Sequence, residues 1–153
     1  MSASSPAQDA PPETAGAPSP PAFRWNVRVY YEDTDAGGIV YYANYLRFFE
    51  RARTEWLRAL GASHTDLVAQ DDLMFVVREL AIDYRQAARL DDELELSLDV
   101  VEARRVSVTL RQQARRRGEE TILVEAKVRI ASIRCSDGRP VGMPARLGIR
   151  MTQ

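Results

Sequence analysis

Apolar and polar residues alternate with a period of two along much of the second half of the chain. In ELELSLDVV, Leu94, Leu96, Leu98 and Val100 alternate with Glu95, Ser97 and Asp99. RVSVTLRQQ repeats the pattern through Val106, Val108 and Leu110, and TILVEAKVRIASI through Val124, Ala126, Val128 and Ile130. Successive side chains of a strand point to opposite faces, so each stretch predicts a strand with one buried face. LMFVVRELAIDYRQ predicts another long strand, and FRWNVRVYY a first one, with Val27, Val29 and Tyr31 on one side. Between the last two alternating runs, RRRGEE offers Gly118 for the positive φ of a hairpin turn, and its arginines are expected at an exposed tip.

From about Tyr42 to Leu60 the period changes. At 100° per residue, Tyr45, Leu46, Phe48, Phe49, Ala52, Trp56, Leu57, Ala59 and Leu60 share one broad face, with Arg47, Glu50, Arg51, Thr54 and Arg58 opposite. A face that wide predicts a helix largely wrapped by sheet, and Gly61 supplies its stop. SHTDLVAQ predicts a further turn or two capped by Ser63. One strand, a long helix and a run of four strands argue an α+β fold, with an antiparallel sheet of about five strands curled around one helix. The segment DGRPVGMPARLGIR, with prolines at 140 and 144, reads as a loop with a short terminal helix.

Residues 1–22 break these patterns. They hold six of the eight prolines among Ala and Ser, and bury too little apolar surface to offset their ordering entropy. They are expected to be disordered, with a partner-binding Pro-rich arm as the alternative. The domain then runs from 23 to 153. A formal net charge of -1 gives no overall basic excess for nucleic acid. The single cysteine, Cys135, cannot form an intramolecular disulfide and is expected as a small buried apolar residue. The lone His64 cannot build a multi-histidine metal site. No apolar run approaches the ~20 residues that span a bilayer, and the start lacks a signal peptide's basic and apolar regions. A cytoplasmic protein is the simplest expectation.

The chemistry concentrates in YYEDTDAGGIVYYANYLRFFERARTEW. Glu32, Asp33 and Asp35 crowd into four positions, at a repulsive cost that a plain turn has no reason to carry. Gly37 and Gly38 let a ligand approach the backbone closely. The helix that follows begins with unpaired N–H groups and a positive dipole end, where a carbonyl is polarised and an oxyanion stabilised. A carboxylate beside it supplies a nucleophile or a base for water. This equipment suits a thioester, whose thiolate leaves without a dedicated general acid.

The stretch VYYEDTDAGGIVYYANYLRFFERARTEWL resembles the N-terminal signature of hotdog-fold acyl-CoA thioesterases of the 4-hydroxybenzoyl-CoA thioesterase type, nearest to their Tol–Pal-associated bacterial branch. The likeness continues through VVRELAIDYRQAARLDDELEL and VVEARRVSVTL, covering about residues 24 to 135. It implies Asp35 as the catalytic carboxylate, acting as nucleophile or as base, and the backbone N–H of Tyr42 as the donor to the thioester carbonyl. Many members of the branch carry His where this chain has Tyr42, and a phenol with a pKa near ~10 is a poor base at neutral pH. The resemblance also implies Arg104 and Arg105 at the CoA phosphates, a homodimer or homotetramer, an acyl-CoA or acyl carrier protein substrate, and no metal or cofactor. A peripheral contact with the inner membrane or envelope machinery is a further implication.

Remaining residues take plainer roles. Asp33 and Glu32 are expected to cap or solvate the loop. Arg53 falls inside the apolar face and is expected to pair with Glu50. His64 is expected at the surface or in a cap. Two rival readings stand beside the thioesterase: a hotdog dehydratase acting on 3-hydroxyacyl thioesters, which would need His64 in the site, and a non-catalytic scaffold that binds thioesters or lipid.

Overall fold

The structure, a computed structural model, describes residues 22–149. The expectation for the proline-rich arm falls on residues 1–21, outside the described residues. Five strands form one sheet: β1 (Phe23–Arg28), β2 (Leu73–Tyr84), β3 (Glu93–Ala103), β4 (Ser107–Arg116) and β5 (Ile122–Arg134). Helix α1 (Asn44–Ala59) and the shorter α2 (His64–Asp71) lie between β1 and β2 in the chain. The strand order is β1-β3-β4-β5-β2, and every neighbouring pair is antiparallel.

The period-two residues form the face that receives α1. Leu94, Leu96, Leu98, Val100, Val108, Leu110, Val124, Ala126, Val128 and Ile130 are all buried with Tyr45, Phe48, Phe49, Ala52 and Trp56 of the helix. Removing each large apolar side chain from water contributes about 1.5–3 kcal/mol, so this layer drives the fold. A smaller cluster of Leu57, Ala62, Leu67, Leu73 and Leu147 seals the end where α2 and a terminal 3₁₀ turn (Ala145–Leu147) pack. No helix among the described residues is long and apolar enough to cross a membrane.

Several details depart from the sequence expectations. β1 stops at Arg28, and Tyr31 lies 84% exposed in a 3₁₀ turn because the chain bends there instead of continuing in register. Leu46 and Ala59 sit at the margins of the helical stripe and stay exposed. Cys135 is only half-buried, because β5 ends one residue before it. The turn at Gly118, with φ +82°, is the exposed hairpin tip expected, and its arginines are paired as well. Arg116 donates to Asp92 and to the Ala87 C=O, and Arg117 to Glu93, tying the turn to the start of β3 and the segment before it.

Candidate active site

Residues 34–40 fold into a tight hairpin. Thr34 bridges Val40, the Asp35 N–H donates to the Ile39 C=O, and the Gly38 N–H donates back to the Asp35 C=O. Gly38 takes φ +76°, the left-handed conformation that closes such a turn and that glycine adopts without strain. The second arm docks on the connection between β2 and β3: Val40 N–H donates to the Ala88 C=O, and Ile39 bridges Arg89. Arg116 holds the same segment from behind.

Asp35 sits exposed at the tip of this hairpin, and its Oδ1 accepts the Gly37 N–H at 2.8 Å. A Cβ on Gly37 would lie 3.2 Å from that oxygen, so the absence of a side chain there keeps the carboxylate uncrowded. Asp33, two residues earlier, has the opposite setting. It is 5% exposed; its Oδ2 accepts the Tyr30 N–H at 2.8 Å and its Oδ1 accepts Asn44 Nδ2 at 2.9 Å. The expected capping role describes it well, since both oxygens organise the turn.

Asn44 opens α1, and its own N–H donates to the Tyr41 C=O at 2.8 Å. The peptide between Tyr41 and Tyr42 is thereby fixed through its carbonyl, and its N–H, that of Tyr42, points the other way. That N–H makes no hydrogen bond with any described residue. The Tyr42 ring is 62% exposed and lies against Tyr41 and Tyr84. Beside it, Ile39, Val40, Tyr45, Tyr84 and Ala87, with Arg85 and Gln86 at the rim, line a largely apolar, open pocket of ≈ 220 Å³. The Tyr45 hydroxyl accepts the Ala88 N–H, and burial pushes its pKa above the usual phenol value. Asn44 and Tyr84 escaped the sequence reading, which placed Tyr45 only on the apolar helix face; Asn44 carries a local signal, as a polar residue in the first helical turn.

Asp35 thus sits at the hairpin tip, and Tyr42 follows two residues after the hairpin's second arm, with Gly37 and Gly38 between them in sequence. Arg104 and Arg105 are not brought to it. They sit in the turn between β3 and β4, at the opposite end of β3, roughly 30 Å along an eleven-residue strand. Arg104 Nε is paired with Glu102 at 2.6 Å, and Arg105 packs on Gly142. Arg53 also differs from expectation. Its guanidinium donates to Gln112 Oε1 at 3.0 Å, and Glu50 adds only a longer-range attraction. Burial pulls the Arg53 pKa down, and the fully buried Gln112 meets it because Gln112 interrupts the apolar face of β4. His64 Nε2 lies 3.1 Å from Thr54 Oγ1, near the far end of α1.

A family model described as the Thioesterase superfamily matches residues 37–123, more than half of the chain. The chain belongs to this superfamily. It is 46% identical over 122 residues to the acyl-CoA thioesterase YbgC of Haemophilus influenzae, a match covering 80% of this chain and 88% of that protein. The acyl-CoA thioester hydrolase YbgC of Escherichia coli is 44% identical over the same length, covering 80% of this chain and 90% of its own. Among solved structures, a probable thioesterase from Bartonella henselae superposes with a TM-score of 0.76 at 35% identity, covering 81% of this chain and 100% of that one. The five-stranded sheet against one long helix is therefore the hotdog fold of the thioesterase superfamily.

Proposed function

We propose that the protein hydrolyses an acyl-CoA thioester to a free acid and CoA at the hairpin carrying Asp35 and Tyr42. The observation that carries this reading is the Tyr42 N–H, held at the entrance of α1 with its hydrogen-bonding capacity unspent. A thioester oxygen placed there gains a donor and the positive end of the helix as charge develops on it. Asp35 then acts in one of two balanced ways. It attacks the carbonyl carbon, expels the thiolate and forms an anhydride that water cleaves, or it takes a proton from the water that attacks directly. In both, CoA leaves as a thiolate and is protonated from solvent.

The largely apolar pocket beside Tyr42 is the place for the acyl group, and Gly37 and Gly38 leave room for the thioester. Arg104 and Arg105 lie too far along β3 to grip the nucleotide of a CoA bound in the same chain. We assign them that role only toward the site of a neighbouring copy in a homodimer or homotetramer. The resemblance to the Tol–Pal-associated branch supports a cytoplasmic enzyme with a peripheral envelope contact. Cell fractionation would check it, with the protein divided between soluble and inner-membrane-associated fractions. The dehydratase reading loses support, since His64 is engaged with Thr54, roughly 18 Å along α1 from Tyr42.

Thiol release from a panel of acyl-CoAs, measured for the native protein and Asp35→Asn, tests the proposal. Native turnover with at least about a hundredfold loss in the variant, equivalent to roughly 2.7 kcal/mol, is expected. Binding of acyl-CoA by both proteins without thiol release would replace the enzyme by the binding scaffold.

A further inference from the structure

Tyr84, the last residue of β2, reaches the helix entrance from a distant strand. Its phenol O–H donates to the Tyr42 C=O at 2.9 Å across 42 positions of sequence. Its ring meets Tyr42 edge-on at 6.2 Å between centroids and Tyr45 at 5.8 Å. None of these contacts takes part in the bond-making assigned above.

Two peptide planes flank Tyr42, and both carbonyls are tied. The Tyr41 C=O accepts the Asn44 N–H from the plane that carries the Tyr42 N–H. The Tyr42 C=O, in the next plane, accepts the Tyr84 hydroxyl. The two planes are joined through φ and ψ of Tyr42 alone, so fixing both removes the rotation that would swing its N–H aside. An oxyanion donor acts through its aim, because it must meet a charge that exists only in the transition state. We propose that Tyr84 is a positioning residue, whose hydroxyl clamps the Tyr42 carbonyl and holds the Tyr42 N–H on the thioester oxygen. Burial and the neighbouring Tyr42 raise the Tyr84 pKa above the ordinary phenol value, so the clamp stays protonated at neutral and mildly alkaline pH. The clamp also explains why a tyrosine, and not a phenylalanine, ends β2 beside a largely apolar pocket.

This inference rests on the Asp35–Tyr42 reading, and one experiment separates the two. Tyr84→Phe keeps the ring contacts and removes only the O–H. Steady-state kinetics with benzoyl-CoA and hexanoyl-CoA should show kcat reduced about tenfold, a fraction of what loss of a whole donor costs. KM should stay within about twofold, since a group acting in the transition state leaves ground-state binding alone. Tm should stay within about 2 °C, and Tyr31→Phe, at a phenol 84% exposed, should behave as native. In an Asp35→Asn background, the infrared carbonyl stretch of bound ¹³C-benzoyl-CoA should move back toward its solution value when Tyr84→Phe is added. An unchanged kcat, a rise in KM alone, or activity lost in step with Tm would overturn the clamp while leaving the hydrolase intact. Absence of thiol release by the native protein would sink both.

Discussion

Asp33 and Asp35 stand two positions apart, one ending a 3₁₀ turn and the other in the hairpin that follows, yet their surroundings separate their work. Asp33 is buried and spends both oxygens on Tyr30 and Asn44, whereas Asp35 is exposed and spends one on Gly37. Replacing Asp33 by Ala orphans the Tyr30 N–H and the Asn44 amide, and an unsatisfied buried group costs about 1–3 kcal/mol. Asp33→Ala should therefore lower stability by about 2–3 kcal/mol in urea unfolding and depress kcat as well, because Asn44 sets the Tyr42 peptide. The adjacent glycines should separate by readout. Gly37→Ala should leave Tm unchanged and reduce kcat about tenfold by pushing on Asp35 Oδ1, since a misplacement of well under 1 Å suffices for that. Gly38→Ala, at φ +76°, should cost about 1 kcal/mol of stability. At this scale the sequence exposed the acids and glycines, because such residues are costly in a plain turn. It hid Asn44 and Tyr84, whose roles depend on neighbours 11 and 42 positions away.

At the scale of elements, periodicity carries most of the information because burial on one face is what creates it. β3, β4 and β5 appear within a few residues of their expected spans, and α1 ends where Gly61 takes φ +90°. There the Gly61 N–H donates to the Arg58 C=O and the Ala62 N–H to the Leu57 C=O, satisfying two end carbonyls. What periodicity cannot supply is the partner of a pattern breaker. Arg53 was expected to find a carboxylate on its own helix, and it instead finds Gln112 on β4, a contact that only the packed sheet creates. Phe48, 0% exposed at the centre of the α1 face, gives the element its clearest test. Phe48→Ala should cost about 3–5 kcal/mol, read as a fall in the urea midpoint at constant m. The terminal segment answers to pH. Arg146 holds the Asp71 carboxyl, and the Arg139 N–H and Arg134 hold that of Asp137, each below its usual pKa. A depressed carboxylate stabilises above its unfolded pKa and loses that contribution as pH falls through its folded one. Amide protection near residues 137–147, relative to an unfolded chain at the same pH, should thus fall below about pH 4, and more gradually in Asp71→Asn, where one of the titrations is gone.

Among the described residues of the molecule, the sheet has two edges, six-residue β1 and twelve-residue β2. A long edge strand displays unpaired backbone groups, and soluble proteins ordinarily shorten, charge or cover such an edge. Here β2 is long and, beside its charged residues, carries Val77 at 52% and Leu80 at 42% exposed, both within its register with β5. Pairing of β2 with β2 of a second copy would satisfy that edge isologously, as a two-fold axis requires. It would also place the β2 end that carries Tyr84 near a neighbouring subunit and offer Arg104 and Arg105 a site they cannot reach at home. Sedimentation equilibrium should accordingly give at least twice the 17.2 kDa of the chain. Val77→Lys with Leu80→Lys adds charges that a free edge tolerates within about 0.5 kcal/mol each but that a paired edge must desolvate. The double variant should sediment as a monomer with native-like circular dichroism and should lose CoA affinity, seen as a raised KM. A native protein that sediments as a monomer yet turns over fully would confine the site to one chain, and the two arginines would then have no part in holding CoA.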